Sequence, residues 1–231
     1  MRVLAHRGAN RLAAENTILA FANAVAMGAD GVELDVHRTH DGVLVVCHDA
    51  VVASGPLYDL SHDELRSAHP DIPTLAEALD ACVGSLVNVE IKNSPRDPDW
   101  DPDDHAAELL VDLLDARGHD DDVLVSSFNL ATVDRVHALS PEVPTALLIV
   151  GMDPRPALTT VETHGHTALH PDLRSVAGPT AGAVVASAHA RGIQVNVWTV
   201  NNEDEMHRLA ASGVDAIVTD VPDVALRVLG R

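Results

Sequence analysis

The feature that most constrains the fold is an alternation, along the whole chain, of short β-branched runs and longer segments with helical periodicity. Eight short runs can be counted, and a helical pattern follows each of them. A strand followed by a helix, repeated eight times, is typical of a parallel sheet closed into a barrel. An open doubly wound sheet is the rival, but it usually has fewer strands, and no GxGxxG motif follows any run here. We therefore predict a (β/α)8 TIM barrel, formed by residues 1–231 as a single domain.

The boundaries follow from the runs and from glycines that end helical segments. The predicted strands are Arg2–Ala5, Gly31–His37, Leu86–Lys92, Val123–Ser127, Ala146–Val150, Thr167–His170, Ile193–Thr199 and Ala216–Thr219. The predicted helices are Thr17–Met27, Leu75–Cys82, Asp103–Ala116, Leu130–Leu139, Pro156–His164, Thr180–Ala190, Glu203–Ala211 and Val224–Leu229. Residues 50–70 are predicted to form only a short insertion.

The charge of the chain excludes several classes of partner. The formal net charge is −20 and the sequence pI is about 4.8. A nucleic-acid binder needs a basic surface, and stable adhesion to an anionic membrane needs one too, so we expect neither. No apolar run approaches the length of about 18 residues that a membrane span requires, and no signal peptide is visible. A cytoplasmic protein is the expectation.

A β-hairpin is predicted as an extension of the second strand. The stretch Val32–Asp49 consists of two extended segments joined by Asp41 and Gly42, and Asp-Gly is a strong hairpin signal. With these two residues as the loop, Asp35 lies opposite His48. A shift of one residue in the pairing would break this arrangement.

Acidic side chains recur two residues apart on the second and third strands. Glu33 and Asp35 leave the same face of one strand, and Glu90 lies with Lys92 on the next. Three carboxylates that face one barrel interior repel one another unless a cation neutralises them. Oxygen ligands suit a hard ion, so the prediction is a divalent cation, Mg²⁺ or Ca²⁺. The alternative is a layer of salt bridges in which the acids pair with Arg7 and Lys92.

Two histidines at strand ends are candidate proton-transfer groups. His6 follows the first strand and His48 ends the hairpin, and imidazole titrates near neutral pH. The chain has 14 histidines, so position alone separates these two from the rest. For His137, His164 and His207, a surface position on a helix is the expectation.

Two positively charged side chains, Arg7 and Lys92, are close in sequence to these histidines and carboxylates. Arg7 is next to His6 and can bind an anionic oxygen through two hydrogen bonds. Lys92 is the only lysine among 15 basic residues, which indicates a site that requires a compact point charge rather than a planar guanidinium.

Motifs along nearly the whole chain resemble those of the glycerophosphodiester phosphodiesterase family. They occur in the family's order and form a far more specific match than any one motif. They are His6–Ala9, Glu15–Thr17, Gly28–Val36, Asp41–Gly42 with Val45–Asp49, Ile72–Leu75, Asn88–Lys92, Ser126–Phe128, Val197–Asn201 and Ile217–Asp220.

The resemblance implies a barrel like that of the phosphoinositide-specific phospholipases C and hydrolysis of a glycerophosphodiester to glycerol 3-phosphate and an alcohol. It also implies that His6 and His48 form an acid–base pair and that Glu33, Asp35 and Glu90 are metal ligands. Arg7 and Lys92 would bind the phosphate, and Trp198 and Phe128 would line the glycerol or head-group side.

One departure affects the expected specificity. The family usually has a longer insertion after the His48-Asp49 motif, whereas here this region is the short segment 50–70, which puts the head-group preference in question. The alternatives are a lysophospholipase D acting on an acylated lipid and a non-catalytic barrel that binds phosphorylated ligands. The sequence leaves open the metal, the nucleophile, which histidine is the acid, and the oligomeric state.

Overall fold

The computed structural model describes residues 1–178 and 180–231. Its strands are β1 (Arg2–His6), β2 (Gly31–Arg38), β3 (Leu44–Val46), β4 (Val51–Val52), β5 (Gly55–Pro56), β6 (Leu86–Ile91), β7 (Val123–Ser127), β8 (Thr145–Ile149), β9 (Ala168–Pro171), β10 (Gln194–Val197) and β11 (Ala216–Thr219). Its helices are α1 (Ile18–Ala26), α2 (His62–Ala68), α3 (Leu75–Ala81), α4 (His105–Ala116), α5 (Leu130–Leu139), α6 (Pro154–His164), α7 (Thr180–His189), α8 (Glu203–Ala211) and α9 (Pro222–Val228). Short 3₁₀ turns cover Leu57–Asp59 and Leu173–Val176.

Eight of the strands form a closed parallel barrel. The order around the ring is β1, β2, β6, β7, β8, β9, β10 and β11, which pairs again with β1. The ring closes where Arg2 pairs with Ala216, while Leu4 on the same strand pairs with Gly31 on the other side. The predicted (β/α)8 barrel is therefore confirmed, and all the carboxyl ends of its strands lie at one edge.

The interior of the barrel and the layer outside it hold separate apolar clusters. Leucine, valine and alanine side chains fill the interior toward the amino ends of the strands, where a closed barrel leaves little space. These residues are Leu4, Leu86, Leu124, Ala146, Ala168, Ala216 and Val218. Larger clusters of leucine, isoleucine and valine fill the layer between the sheet and the helices. None of the described helices is both long and apolar enough to cross a bilayer.

The hairpin extension is present, but the predicted register was wrong by one residue. Thr39 N–H donates to Val43 O at 3.0 Å, and Gly42 N–H donates to Thr39 O at 3.1 Å, so the loop holds three residues rather than two. The Thr39 hydroxyl also donates to the Asp41 carboxylate at 2.7 Å, and Gly42 adopts the left-handed conformation (φ 81°) that a three-residue loop requires. As a result the backbone carbonyl of Asp35 accepts a hydrogen bond from Cys47 N–H at 3.0 Å, and Asp35 does not lie opposite His48.

Two further differences have local causes. The predicted helix start at Asp103 was wrong because Asp104 has φ 53°, outside the helical region, so α4 begins at His105. The segment 50–70 contains a small hairpin and helix α2, which was not predicted. A capping box formed by Ser61 and Glu64 starts α2, and Leu65 anchors it in a separate small apolar cluster.

Candidate active site

Three buried carboxylates lie together at the carboxyl ends of β2 and β6. Asp35 is in register with Glu90, and Glu33 lies two residues earlier on the same face of β2. One oxygen of each carboxylate lies within 4.8 Å of the other two. All three residues are buried. The structure therefore brings together the acids that the sequence singled out, and their donor set is made only of oxygen.

The protonation of these acids depends strongly on burial. Burial raises the pKa of Glu33 to about 8, and the charge of Asp35 adds to the rise. Burial raises the pKa of Glu90 as well. Burial acts in the same direction on Asp35, but Lys92 and Arg7 outweigh it and hold the pKa of Asp35 below its usual value. Full ionisation of the cluster therefore requires further positive charge, which a hard divalent cation can supply.

Two cationic side chains border the cluster without saturating it. Lys92 Nζ lies 2.8 Å from Asp35 Oδ1 and donates to Glu90 Oε1 at 2.5 Å. The 2.8 Å contact lacks hydrogen-bond geometry, so that buried oxygen keeps lone pairs available for a cation. Arg7 Nε lies 3.0 Å from Asp35 Oδ2, and its guanidinium also contacts the exposed Glu15 at 2.9 Å. Among the described residues, Glu33 accepts a hydrogen bond only from the backbone N–H of Arg7, at 3.1 Å. The predicted alternative of a complete salt-bridge layer does not describe Glu33.

The turn after β1 positions Arg7. Arg7 and Gly8 both have positive φ, at 56° and 80°. A Cβ on Gly8 would lie 2.6 Å from the backbone of Ala20, so only glycine fits there. Asn16, also at φ 56°, donates to Asp35 Oδ2 at 2.9 Å and fixes that carboxylate. No role was predicted for Asn16, although it belongs to one of the motifs that resemble the family.

His6 forms a half-buried pair with Asp220, a partner that was not predicted. His6 Nδ1 and Asp220 Oδ1 lie 2.6 Å apart, and His6 Nε2 lies 3.9 Å from Glu33. Burial opposes protonation of His6, but Asp220 and Glu33 outweigh it and raise its pKa. Asn10 and Asn201 donate to the two oxygens of Asp220 at 2.7 and 2.6 Å. The available signal was the position of Asp220 directly after the last barrel strand.

His48 lies beside the same cluster but in a more open position. Its side chain is 40% exposed, and Nδ1 lies 2.8 Å from the Asp49 carboxylate. His48 and Lys92 line a groove of about 410 Å³ together with His37. Because Lys92 contacts the carboxylate cluster, the groove opens next to it. The structure therefore brings His48 to the cluster, although not through the strand pairing that was predicted.

A small cavity lies on the His6 side of the cluster. Its volume is about 20 Å³, and its lining includes Glu33, Glu90, Asn88 and His170. Burial lowers the pKa of His170 to about 3, so this imidazole is neutral at pH 7. The cavity and the groove of His48 share no lining residue. The two candidate proton-transfer groups therefore approach the cluster from different cavities.

The two predicted aromatic residues, Phe128 and Trp198, lie together at the edge of the barrel formed by the carboxyl ends of the strands. The rings of Phe128 and Trp198 meet edge to face with centroids 5.5 Å apart. Trp198 Nε1 donates to His170 O at 2.8 Å, which fixes the indole. Phe128 is 38% exposed, so it offers apolar surface to a ligand that enters from solvent.

Comparisons with known proteins agree with this geometry. Residues 6–224 match the model of the glycerophosphoryl diester phosphodiesterase family. A glycerophosphodiester phosphodiesterase of Bacillus altitudinis is 32% identical, over 98% of this chain and 97% of the relative. One from Caldanaerobacter subterraneus is 31% identical, over 99% and 98%.

Solved structures show the same architecture. A glycerophosphodiester phosphodiesterase of Thermotoga maritima has a TM-score of 0.83 at 27% identity, covering 100% of this chain and 98% of that one. A phosphodiesterase of Oleispira antarctica, solved with the product sn-glycerol-3-phosphate, has a TM-score of 0.87 at 25% identity, covering 100% and 97%. The predicted resemblance and the predicted enzyme class are thus confirmed. The chain belongs to the glycerophosphoryl diester phosphodiesterase family.

Proposed function

We propose that this barrel, acting as a single domain, hydrolyses a glycerophosphodiester to glycerol 3-phosphate and an alcohol with the help of a divalent cation, Mg²⁺ or Ca²⁺. The observation that carries the proposal is the buried cluster of Glu33, Asp35 and Glu90, bordered by two cations and approached by two imidazoles. The product complex of the Oleispira antarctica enzyme supports the choice of product.

Glu33, Asp35 and Glu90 would hold the cation. A bound divalent cation supplies polarisation of a phosphoryl oxygen and offsets charge in the transition state. Arg7 and Lys92 act on the same substrate group, because each offers further donors toward an anionic phosphoryl oxygen. Lys92 also keeps Asp35 ionised, since its ammonium lies 2.8 Å from that carboxylate.

His6 and His48 serve as the two proton-transfer groups. Each has its Nδ1 next to a carboxylate, Asp220 in one case and Asp49 in the other, which leaves Nε2 to exchange a proton with the substrate. One takes a proton from the nucleophile, and the other gives a proton to the leaving alcohol oxygen. Asp220 is a positioning residue, because it holds the His6 ring and does not itself touch the substrate.

Two nucleophiles are compatible with this chemistry. Water would attack phosphorus and give glycerol 3-phosphate directly. The glycerol hydroxyl of the substrate would displace the alcohol first and form a cyclic phosphate that water then opens. A substrate analogue that lacks this hydroxyl separates the two routes, because only the water route turns it over.

A lysophospholipid is a second candidate substrate. Phe128, Val150 and Met152 are 38%, 57% and 55% exposed and follow the carboxyl ends of β7 and β8. Apolar side chains at this edge can contact an acyl chain. The other alternative, a non-catalytic barrel, loses its support because no histidine or carboxylate of the site is missing and the matched relatives are phosphodiesterases.

The experiment measures release of glycerol 3-phosphate from a panel of glycerophosphodiesters. A lysophospholipid is the paired substrate, and its turnover is measured as release of the free head-group alcohol, because its other product is an acylated glycerol 3-phosphate. The purified protein is treated with chelator and then given Mg²⁺, Ca²⁺ or no metal. We expect release that depends on metal and is fastest with a non-acylated substrate. Ligand binding without turnover in either metal would contradict the proposal, and preference for the lysophospholipid would select the second candidate.

A further inference from the structure

A second group of metal-ligating side chains lies at the opposite edge of the barrel. Asp134 and His137 come from α5, three residues apart and so on one helix face. His164 is the last residue of α6, and His166 precedes β9. His166 Nδ1 lies 2.9 Å from the hydroxyl of Thr145, the first residue of β8. The group therefore lies at the amino ends of the strands, away from the carboxylate cluster.

The three closest ligand atoms are arranged as a metal site needs them. Asp134 Oδ1 lies 2.9 Å from His164 Nδ1 and 3.0 Å from His166 Nε2, and one donor atom of each residue lies within 4.8 Å of the other two. Neighbouring ligands around a tetrahedral Zn²⁺ lie about 3.4 Å apart, given bonds of about 2.1 Å. Only small side-chain shifts would bring these atoms around an ion.

His166 is the residue that most clearly points to a ligand. Its side chain has no exposed surface, and its Nε2 makes no hydrogen bond among the described residues, because its contact with Asp134 lacks hydrogen-bond geometry. When Nδ1–H donates to Thr145, the lone pair of Nε2 faces a carboxylate oxygen, and a cation between the two atoms relieves that repulsion.

The glycine between His164 and His166 leaves space for the ring of His137. Gly165 adopts φ 78° at the end of α6, and a Cβ there would lie 3.1 Å from His137 Nε2. The ring of His137 lies 6.0 Å from that of His166. Asp134 and His164 are 36% and 38% exposed, so an ion and its water ligands can enter from solvent. Imidazole nitrogen with one carboxylate suits Zn²⁺ and similar ions better than Mg²⁺ or Ca²⁺.

We propose that Asp134, His164 and His166 bind a divalent transition-metal ion of the Zn²⁺ class, at a site separate from the carboxylate cluster. Its ligands join the end of α5 to the connection between α6 and β9. Binding replaces the proton that His164 Nδ1 now donates to Asp134. The ion stabilises this edge of the barrel and takes no part in hydrolysis.

The test is a Zn²⁺ titration by calorimetry on untagged, chelator-treated protein in saturating Mg²⁺, which occupies the oxygen-only cluster. The variants are His164→Gln and Asp134→Asn, both at half-exposed positions where folding is preserved. The matched control is His189→Gln, since His189 is an exposed histidine next to a single carboxylate, at 2.9 Å from Asp215. Melting temperatures with and without Zn²⁺ provide a second measurement.

We expect the wild type and the control to bind one Zn²⁺ and to melt higher when it is bound. In the two variants Zn²⁺ affinity falls about tenfold or more and the rise in melting temperature is lost. Hydrolysis is unchanged in all of them. Equal Zn²⁺ affinity in His164→Gln and wild type, or no Zn²⁺ bound by the wild type under these conditions, would overturn the proposal without affecting the proposed hydrolase function.

Discussion

The two edges of this barrel carry two different kinds of ligand cluster. At the carboxyl ends of the strands, Glu33, Asp35 and Glu90 form a buried cluster with oxygen donors only. At the amino ends, His164, His166 and Asp134 form a cluster with two nitrogen donors, in which His166 is buried and the other two residues are part-exposed. Arg7, Lys92 and His6 border the first cluster, whereas none of the described arginine or lysine side chains forms an ion pair with Asp134. The chemistry of the ligands and of the side chains around them, rather than clustering alone, therefore separates a candidate catalytic centre from a candidate structural one.

The largest expected effect comes from removing one carboxylate of the first cluster. Glu90→Gln keeps the size of the side chain but loses the charge that would hold the cation, so kcat/KM falls about 10³-fold or more. His164→Gln at the other edge leaves kcat/KM unchanged. Steady-state assays at several Mg²⁺ concentrations check this. A Glu90→Gln enzyme with wild-type turnover would remove the distinction between the two clusters.

The second-largest loss of activity is expected when His6 or His48 is replaced. His6→Ala and His48→Ala each lower kcat by about 10²–10⁴, the range typical of a lost general acid or base. His189→Gln is the control, because that histidine also contacts one carboxylate but lies at the amino ends of the strands, at the opposite edge from the carboxylate cluster. Turnover is measured on variants whose circular dichroism matches the wild type. Full activity in either alanine variant would show that histidine to be outside the reaction.

A smaller effect is expected from Asp220→Asn. The amide cannot hold the His6 ring as the carboxylate does across 2.6 Å, so we expect kcat to fall about tenfold with KM unchanged. The pH profile of kcat, measured together with KM, checks this. Loss of the Asp220 charge lowers the pKa of His6 and moves the profile, whereas a general loss of folded enzyme would lower kcat without changing its pH profile. An unchanged kcat and pH profile would mean that Asp220 has no positioning role.

The smallest effect concerns stability. Burial lowers the pKa of His170 in the folded protein to about 3, below the unfolded value of 6.5. Between these values the unfolded chain binds more protons, so stability decreases as pH falls below 6.5, by at most about 1.4 kcal/mol per pH unit. His170→Gln removes this part of the slope, and His207→Gln, at an exposed position, does not. Urea unfolding between pH 7 and 4 measures both, and equal slopes in wild type and His170→Gln would contradict the assignment.

The first cluster could be predicted from the sequence because strands have a period of two. Glu33 and Asp35 share a face by spacing alone, and Glu90 with Lys92 repeats the pattern on the strand that lies next in the barrel. The prediction that His48 lies near the cluster was correct, but it was derived from a hairpin register that is wrong by one residue. The Thr39 side chain and the Gly42 conformation set a three-residue loop, and Asp-Gly is compatible with both loop lengths.

The second cluster and the partner of His6 could not be predicted in this way. The expectation that His137 and His164 lie on helix surfaces agrees with the exposure of His164, whereas His137 is half-buried, and it said nothing of their neighbours. The approach of His164 to Asp134, and of His166 to His137, depends on how α6 and the segment after it pack against α5, and helix spacing does not contain that information. Asp220 contacts His6 across 214 positions of the sequence, a contact that exists only once the barrel closes.

The most direct test of the central claim is anomalous diffraction from crystals soaked in Mn²⁺, a hard cation with a measurable signal. The proposed centre predicts a peak bound by the carboxylates of Glu33, Asp35 and Glu90, at the edge where His6 and His48 lie. If the anomalous map shows no peak among these carboxylates in a buffer in which Mn²⁺ supports turnover, the cation acts elsewhere and the account of this site is wrong.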